Sequence, residues 1–363
     1  MSLLSNYLNQ TTDQFIDVSM QVTSADSQDI ENVIQAFSEL VNDFVTILEH
    51  PSKPIIRVPF SGGKDSTCVL LIVLEAYSVF LKKNPLQKDR LLSIVNVNTK
   101  IESLPMVAYC EYVHEKIIQY CKNKGICLRY DVVSPSLSDE FFIKYGNADK
   151  LVSNASRGGE CTNILKLENA YKNKRLVDGV TGGQPLITCV GSRLAESIRR
   201  ATNMSKQRIS AGGNDELIEQ LNTGHDVKNI NFAPIKHWPD SFVFALLRIV
   251  GSDPIWRSEK FIDCFLPHMR LLVEIYGQGS GAEVCDIADT SSKNSCGGAA
   301  RFGCTQCTQI VNDKSSTEIS SLPRWRVLGS ENALRVRDWL FRLSCSPESR
   351  MYHARAYDPV YCR

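Results

Sequence analysis

The feature that most constrains the fold is a repeated alternation of short apolar runs with helical patterns. The apolar runs have the length of buried strands and cover residues 55–60, 91–97, 126–133 and 185–190. Helical patterns follow three of them, at about residues 66–82, 106–122 and 193–204. This order predicts an α/β fold, a parallel sheet with helices on both faces. Because ligands of such sheets bind at the carboxyl ends of the strands, the loops after the first, second and fourth strands are the candidate sites.

The sequence on either side of this region has a different character. Residues 1–27 are polar and predict a loosely ordered lead-in, whereas residues 28–50 carry apolar side chains at helical spacing and predict an amphipathic helix. From residue 238, helical patterns at about 240–250, 262–276 and 332–343 come without alternating strands. The chain is therefore predicted to divide into an N-terminal segment (1–50), an α/β domain (51–237) and a mainly helical C-terminal domain (238–363).

Charge and hydropathy exclude several classes of protein. The 363 residues include 41 basic and 40 acidic side chains, so the net charge of +1 gives no overall field for nucleic acid, and any such surface is local. No apolar run approaches the ~20 residues of a membrane span, and the first residues lack the pattern of a signal peptide. We therefore expect a cytoplasmic protein without a membrane partner, whose 13 cysteines are buried thiols, metal ligands or catalytic thiols.

A glycine-rich loop directly after the first predicted strand is the strongest sign of a binding site. It reads Ser61-Gly62-Gly63-Lys64-Asp65-Ser66-Thr67 and leads into a helix. The glycines allow the backbone to approach a phosphate, and the helix N-terminus adds free N–H groups and the positive end of its dipole. The loop is not a Walker A sequence, because Val58 and Asp65 stand where that pattern requires Gly and Ser or Thr.

This loop resembles the pyrophosphate loop of the N-type ATP pyrophosphatases, the fold family of PAPS reductases and tRNA thiolation enzymes. The resemblance implies that its seven residues bind ATP, which is cleaved between the α and β phosphates. It also implies catalytic roles for Lys64 and Asp65, with Asp65 organising Mg²⁺ or positioning the phosphates.

Polar residues also follow the second and fourth predicted strands. The candidate nucleotide ligands there are Asn98, Thr99 and Glu102 after the second strand and Gly191, Arg193, Glu196 and Arg200 after the fourth. Arg193 and Arg200 lie two helical turns apart and so share a helix face, which suits a phosphate clamp and a catalytic role. This stretch resembles the Gly-x-Arg-x-x-Glu-Ser-x-x-Arg sequence of PAPS-reductase-like proteins. A helix-capping loop and a solvated charged helix are the simpler alternatives.

Four cysteines fall within 23 residues of one another, Cys285, Cys296, Cys304 and Cys307. Four thiolates suit Zn²⁺ or an iron–sulfur cluster, and their spacing does not choose between the two. Together with the loop at residues 61–67, the segment 296–308 resembles the DNA phosphorothioation proteins DndC and SspD, whose four cysteines hold a [4Fe–4S] cluster. The stretch Cys161-Thr162-Asn163-Ile164-Leu165-Lys166 is similar to another sequence of that family. Cys161 is therefore a candidate catalytic thiol that carries a persulfide, with a plain loop cysteine as the alternative.

The resemblance implies an ATP-dependent sulfurtransferase of a bacterial defence system that modifies DNA in the manner of restriction–modification. ATP would adenylate a backbone phosphate of DNA, and sulfur from a cysteine desulfurase would then displace AMP. The implied cofactors are ATP, Mg²⁺ and a [4Fe–4S] cluster, and the implied partners are DNA, the desulfurase and other phosphorothioation proteins. Three alternatives are a tRNA thiolation enzyme, whose cysteine ligands are split between mid-chain and downstream positions, a PAPS-reductase-like enzyme, and a non-enzymatic iron–sulfur scaffold that binds DNA.

Two further features have less specific interpretations. His237 and Trp238, before the helix expected at Asp240, resemble a junction sequence of the same family, but a structural domain hinge explains them more simply. After Ser320 the chain contains eight Arg and no Lys, together with several aromatic residues. Such a tail suits a nucleic-acid backbone and its bases or a protein partner equally well.

Overall fold

The computed structural model describes residues 2–11, 27–146, 150, 152, 160–194, 214–223, 229–251, 262–277, 304–308 and 314–346. Its helices, numbered in chain order, are α1 (Leu3–Thr11), α2 (Ser27–Glu49), α3 (Lys64–Lys83), α4 (Leu104–Lys124), α5 (Phe141–Gly146), α6 (Glu168–Val180), α7 (Asn214–Thr223), α8 (Asp240–Ile249), α9 (Arg270–Gly277), α10 (Lys314–Ser321), α11 (Pro323–Arg326) and α12 (Ser330–Cys345). Its strands are β1 (Ile55–Pro59), β2 (Leu91–Val97), β3 (Cys127–Val133), β4 (Leu186–Cys189) and β5 (Asn229–Phe232). A 3-10 helix covers Leu137–Asp139, and a π-helix covers Thr162–Leu167.

The described strands form a parallel sheet in the order β3-β2-β1-β4-β5, which confirms the predicted α/β fold. In β1, Val58 is in register with Ile94 of β2, and Ile56 is in register with Ile187 of β4. Most side chains of β1, β2 and β4 are buried, as expected for strands covered on both faces. The chain moves to one side of β1 for β2 and β3 and to the other side for β4 and β5. This reversal opens a crevice at the carboxyl ends of β1 and β4.

The four predicted strands lie within one residue of their expected limits. The helices expected at 28–50, 106–122, 240–250 and 332–343 are confirmed as α2, α4, α8 and α12. Helix α3 begins at Lys64, two residues before the expected start, so that Lys64 and Asp65 belong to its first turn. Most of the helix expected at about 193–204 lies outside the described residues.

Two expectations about the flanking segments are wrong. Residues 3–11 form α1 rather than a loose lead-in, because α1 contacts α4 and Leu8 is fully buried. The hydroxyl of Tyr7 also donates a hydrogen bond to the carbonyl oxygen of Arg324, at 3.0 Å. The helix expected at 262–276 begins only at Arg270, because Ile262 pairs with Val250 in an isolated β-bridge.

One cluster of buried side chains contains residues from all three predicted domains. Leu8, Phe44, Ile56, Leu246 and Trp325 all belong to it. Helix α8 contacts both α2 and α3, and this packing fixes the start of α8 beside the loop that follows β1. The boundaries at residues 50 and 237 remain predictions. Among the described helices, none is both long and apolar enough to cross a lipid bilayer.

Candidate functional site

The loop after β1 is folded back onto the first turn of α3 by hydrogen bonds of its own. The backbone N–H of Ser61 donates to Oγ of Ser66 at 3.3 Å, and that hydroxyl donates to the carbonyl oxygen of Gly63 at 3.0 Å. The N–H of Thr67 donates to the same carbonyl at 2.9 Å. Since the first N–H groups of a helix have no partner within it, this turn presents donors and a positive dipole end at the crevice. The predicted anion-binding loop therefore lies where the topology places a ligand.

Two glycines are needed for this arrangement. Gly62 has φ +72°, and a Cβ atom there would lie 2.5 Å from Sγ of Cys110. A Cβ atom at Gly191, after β4, would lie 2.8 Å from the backbone nitrogen of Ser66 and 2.9 Å from the carbonyl carbon of Asp65. Only a residue without a side chain allows this approach. The loops after β1 and β4 are thus in direct contact.

A buried guanidinium connects these two loops to α8. Arg193, whose side chain is 1% exposed, donates from Nε to Oδ1 of Asp65 at 2.5 Å and from Nη2 to Oδ1 of Asp240 at 2.6 Å. Its Nη1 donates to the carbonyl oxygen of Trp238 at 3.0 Å. Lys64 completes the network, with Nζ 2.9 Å from Oδ1 of Asp240 and 3.3 Å from Oδ1 of Asp65. Two cations and two carboxylates therefore meet at the crevice.

The charges of this network support one another. Burial lowers the pKa of Arg193, but Asp65 and Asp240 outweigh that effect and leave the pKa raised. Burial raises the pKa of Asp240, but the hydrogen bonds and charges of Lys64 and Arg193 outweigh that effect and leave the pKa lowered. Asp240 is therefore ionised at neutral pH and Arg193 is protonated.

The geometry changes the interpretation of Arg193. The sequence predicts a phosphate clamp, yet all three nitrogens of the guanidinium already donate to protein oxygens. This arrangement suits a residue that orients Asp65 and Asp240 better than one that grips a phosphate directly. The predicted partner residues Glu196 and Arg200 lie outside the described residues.

Asp240 is a site residue that the sequence does not predict. The sequence singles out the junction at His237 and Trp238, but an Asp at the start of a helix is also an ordinary capping residue. Only the packing of α8 against α3 brings its carboxylate to Lys64 and Arg193. The sequence signal that could identify Asp240 is an acidic residue two positions after Trp238 in this junction.

The loop after β2 uses its polar side chains to hold its own turn. Oδ1 of Asn98 accepts a hydrogen bond from the N–H of Lys100 at 2.9 Å, and Lys100 has φ 62°. The hydroxyl of Thr99 donates to Oε1 of Glu102 at 3.3 Å, and it accepts from the N–H of Ile101 at 3.4 Å. These contacts favour the capping-loop alternative for Asn98 and Thr99, while Glu102 is partly exposed.

The Cys304–Cys307 turn lies against this same loop. The N–H of Thr305 donates to the carbonyl oxygen of Ile101 at 2.7 Å, and the N–H of Cys307 donates to the carbonyl oxygen of Cys304 at 3.0 Å. Cys161, directly before the π-helix, packs with Cys304 against a small apolar cluster, and burial and, to a smaller degree, negative charge on the nearby Cys307 raise the pKa of Cys161. Burial raises the pKa of the thiols of Cys161 and Cys304. The fold thus brings a mid-chain cysteine to the downstream Cys-x-x-Cys pair.

Half of the predicted metal ligands can be placed. Cys304 and Cys307 belong to one turn, whereas Cys285 and Cys296 lie outside the described residues. Within the described part of the chain, no three Cys, His, Asp or Glu side chains are arranged to hold a metal ion. The described residues therefore supply two thiols of a possible centre, and the choice between zinc and an iron–sulfur cluster stays open.

Comparison with known proteins gives little beyond this geometry. No protein-family model and no curated protein matches the chain. Among solved structures, the chain is similar to the U34-tRNA thiolase NcsA from Methanococcus maripaludis with its [4Fe-4S] cluster, at 14% identity and a TM-score of 0.34. The similarity covers 89% of this chain and 86% of the thiolase. A similarity of this degree does not identify the family of the chain.

Proposed function

We propose that this chain binds ATP at residues 61–67 and splits it into AMP and pyrophosphate. The observation that carries the proposal is the position of the loop, with Lys64 and the N-terminus of α3, at the crevice between the carboxyl ends of β1 and β4. Backbone N–H groups and Lys64 would hold the phosphates that leave as pyrophosphate. Arg193 holds the carboxylate of Asp65 beside these phosphates, with Nε of Arg193 2.5 Å from Oδ1 of Asp65.

Magnesium is the metal that this chemistry implies, and the carboxylate of Asp65 at the crevice fits it. Asp65 offers the oxygen ligands that Mg²⁺ prefers, and Arg193 holds it in place. A bound magnesium ion supplies positive charge that offsets the phosphates. The chain's own part is to position this carboxylate and to provide Lys64.

The acceptor in this proposal is a backbone phosphate of DNA. A non-bridging oxygen attacks the α-phosphorus of ATP and expels pyrophosphate, which leaves the DNA phosphate joined to AMP by a phosphoanhydride bond. The terminal sulfur of a Cys161 persulfide, formed by a cysteine desulfurase, then bonds to phosphorus and expels AMP. A thiol reductant finally attacks Cys161, which releases the phosphorothioate and leaves a mixed disulfide for a second thiol to reduce. Other phosphorothioation proteins would act on the same DNA.

The iron–sulfur cluster of the proposal fits the donor chemistry of the described turn. Cys304 and Cys307 supply two sulfur ligands, as soft metal centres require, and Cys285 and Cys296 would supply the others. A bound cluster supplies thiolate-ligated iron that can transfer electrons. The hydrogen bond from Thr305 to Ile101 ties this turn to the loop that follows β2.

Helix α12 supports a nucleic-acid substrate. Arg335, Trp339 and Arg342 are exposed and line one open groove of about 480 Å³. An exposed indole between two guanidinium groups can stack on a base while the cations contact phosphates. Leu340 of the same helix packs against the small apolar cluster that Cys161 and Cys304 also contact, so this helix lies near the cysteines.

A tRNA thiolation enzyme is the second candidate, and one specific observation favours it. That class splits its cysteine ligands between mid-chain and downstream positions, and here Cys161 lies near Cys304 and Cys307. In that case Cys161 would be a ligand of the metal centre rather than a carrier of sulfur, and the adenylated atom would belong to a tRNA base.

Two measurements test the proposal. Purified full-length protein should release pyrophosphate from ATP, and mass spectrometry should detect phosphorothioate dinucleotides in DNA from cells that contain the protein and not from cells without it. Pyrophosphate release with thiolated tRNA instead of modified DNA would establish the second candidate. Metal binding and DNA binding without pyrophosphate release would establish the non-enzymatic iron–sulfur scaffold instead of an enzyme.

A further inference from the structure

Lys64, the cation of the loop, is already engaged by its neighbours. Its ammonium group lies 2.9 Å from Oδ1 of Asp240 and 3.3 Å from Oδ1 of Asp65, and 5.7 Å from the centroid of the Phe244 ring. Two of these three groups belong to α8, which packs against α3. A phosphate that binds Lys64 therefore has to compete with the carboxylates of Asp65 and Asp240 for the ammonium group.

Asp240 is the member of the network that an incoming anion meets first. Its side chain is 60% exposed, whereas that of Asp65 is 14% exposed and that of Arg193 is 1% exposed. The four charges of Lys64, Asp65, Arg193 and Asp240 sum to zero. The carboxylate of Asp240 therefore repels a polyphosphate and competes with it for the same ammonium group.

Asp240 is not required to hold Arg193 in place. Nε and Nη1 of Arg193 remain bonded to Asp65 and to the carbonyl oxygen of Trp238 when Nη2 loses its partner. An asparagine at position 240 keeps an acceptor oxygen in the same place and removes only the charge. The charge of Asp240 can therefore be tested separately from its packing.

We infer that Asp240 is the counter-ion that recaptures Lys64 when pyrophosphate leaves, and that it thereby promotes release of this product. The inference rests on the proposed function, in which Lys64 binds the departing phosphates. While pyrophosphate is bound, Lys64 is shared between the phosphate and Asp240. When Lys64 returns fully to Asp240, the loop loses its cation and the affinity for the product falls.

The test measures binding of inorganic pyrophosphate to the full-length protein by titration calorimetry. Asp240→Asn should bind pyrophosphate about tenfold more tightly than the wild type, which corresponds to about 1.4 kcal/mol. Steady-state turnover should show stronger product inhibition and a lower KM for ATP, together with a lower kcat. Asp240→Ser, which removes the same charge with a smaller side chain, should change pyrophosphate binding in the same direction.

A matched control and a double variant separate this role from a structural one. Asp263→Asn removes the carboxylate of another Asp–Lys pair, 2.5 Å from Nζ of Lys124, and should leave pyrophosphate binding unchanged. In a Lys64→Gln background, Asp240→Asn should no longer produce the tenfold gain. If both Asp240 variants bind pyrophosphate as the wild type does, or more weakly, the inference is wrong although the loop still binds phosphate. If the wild type binds neither pyrophosphate nor ATP, the proposed function fails and the inference fails with it.

Discussion

Arg193→Lys tests the network at its most buried point. A lysine keeps the positive charge but replaces three fixed donors with one ammonium group on a flexible chain. That group cannot reproduce the fork that now joins Asp65, Asp240 and the carbonyl oxygen of Trp238 at 2.5, 2.6 and 3.0 Å. We expect the lysine to keep its bond to Asp65, which is the less exposed of the two carboxylates.

The cost follows from the bonds that are lost. A hydrogen bond with one charged partner contributes about 1.5–3 kcal/mol, and the lost bond from the guanidinium to the carbonyl oxygen of Trp238 belongs to this class. The lost bond to Asp240 costs less, because this carboxylate is 60% exposed and water replaces the guanidinium as its partner. We therefore add only a small part of the usual contribution for this second bond. The expected loss is about 2 kcal/mol in the free energy of unfolding. A flexible ammonium group also holds the carboxylate of Asp65 less rigidly than the guanidinium does, so turnover should slow at least tenfold, equivalent to about 1.4 kcal/mol in the activation free energy.

Urea unfolding followed by circular dichroism measures the first quantity, and pyrophosphate release from ATP measures the second. Arg129→Lys is the matched control, because Arg129 forms an ion pair with Asp131 at 2.7 Å on β3, outside the 61–67 loop. It should change stability by less than about 1 kcal/mol and leave turnover intact. Unchanged stability and unchanged turnover in Arg193→Lys would refute the assigned role of the buried guanidinium.

Four other substitutions test separate parts of the site. Asp65→Ala should abolish pyrophosphate release and lower the free energy of unfolding by about 1.5–3 kcal/mol, because the buried Arg193 loses the carboxylate bonded to its Nε; wild-type release would contradict its catalytic role. Gly191→Ala should destabilise the protein by about 1–3 kcal/mol in urea, because its Cβ atom would meet backbone at 2.8 Å. Cys304→Ser should remove bound iron and the absorption of an anaerobically purified sample, whereas Cys345→Ser should not; one zinc per chain in a colourless wild type would rule out the cluster. Trp339→Ala should weaken binding of single-stranded DNA by about 1–3 kcal/mol in fluorescence anisotropy, and unchanged affinity would place the DNA elsewhere.

The sheet and the loop could be predicted because their signals are local. Each apolar run from 55 to 190 carries enough buried side chains to be recognised without its neighbours, and all four strands are present. The glycines and Lys64 of the loop are adjacent in sequence, so their arrangement needs only one strand end and one helix start. The position of the loop at the crevice then follows from the parallel sheet.

The ion-pair network could not be predicted because it depends on packing between distant segments. The sequence predicts a phosphate clamp at Arg193, since nothing in its neighbourhood reveals that its guanidinium is buried and bonded to the carbonyl oxygen of Trp238. Asp240 reaches Lys64 only because α8 packs against α3. The short strand β5 was missed for a related reason, since its Asn229–Phe232 sequence alternates exposed and buried residues over only four positions.

The partners of Asp65 also determine when the site can first exist. Arg193 follows Asp65 by 128 residues, and Asp240 follows Arg193 by another 47. At a synthesis rate of about 5–20 residues per second, roughly 6–26 s pass between the appearance of Asp65 and that of Arg193. For most of this interval β1 can pair with β2 only, because its other neighbour, β4, is completed just before Arg193. In the nascent chain the 61–67 loop is present, but the carboxylate of Asp65 still lacks the guanidinium of Arg193 that orients it. A chain that stops before Gly191 therefore has the loop but not the complete ion-pair network.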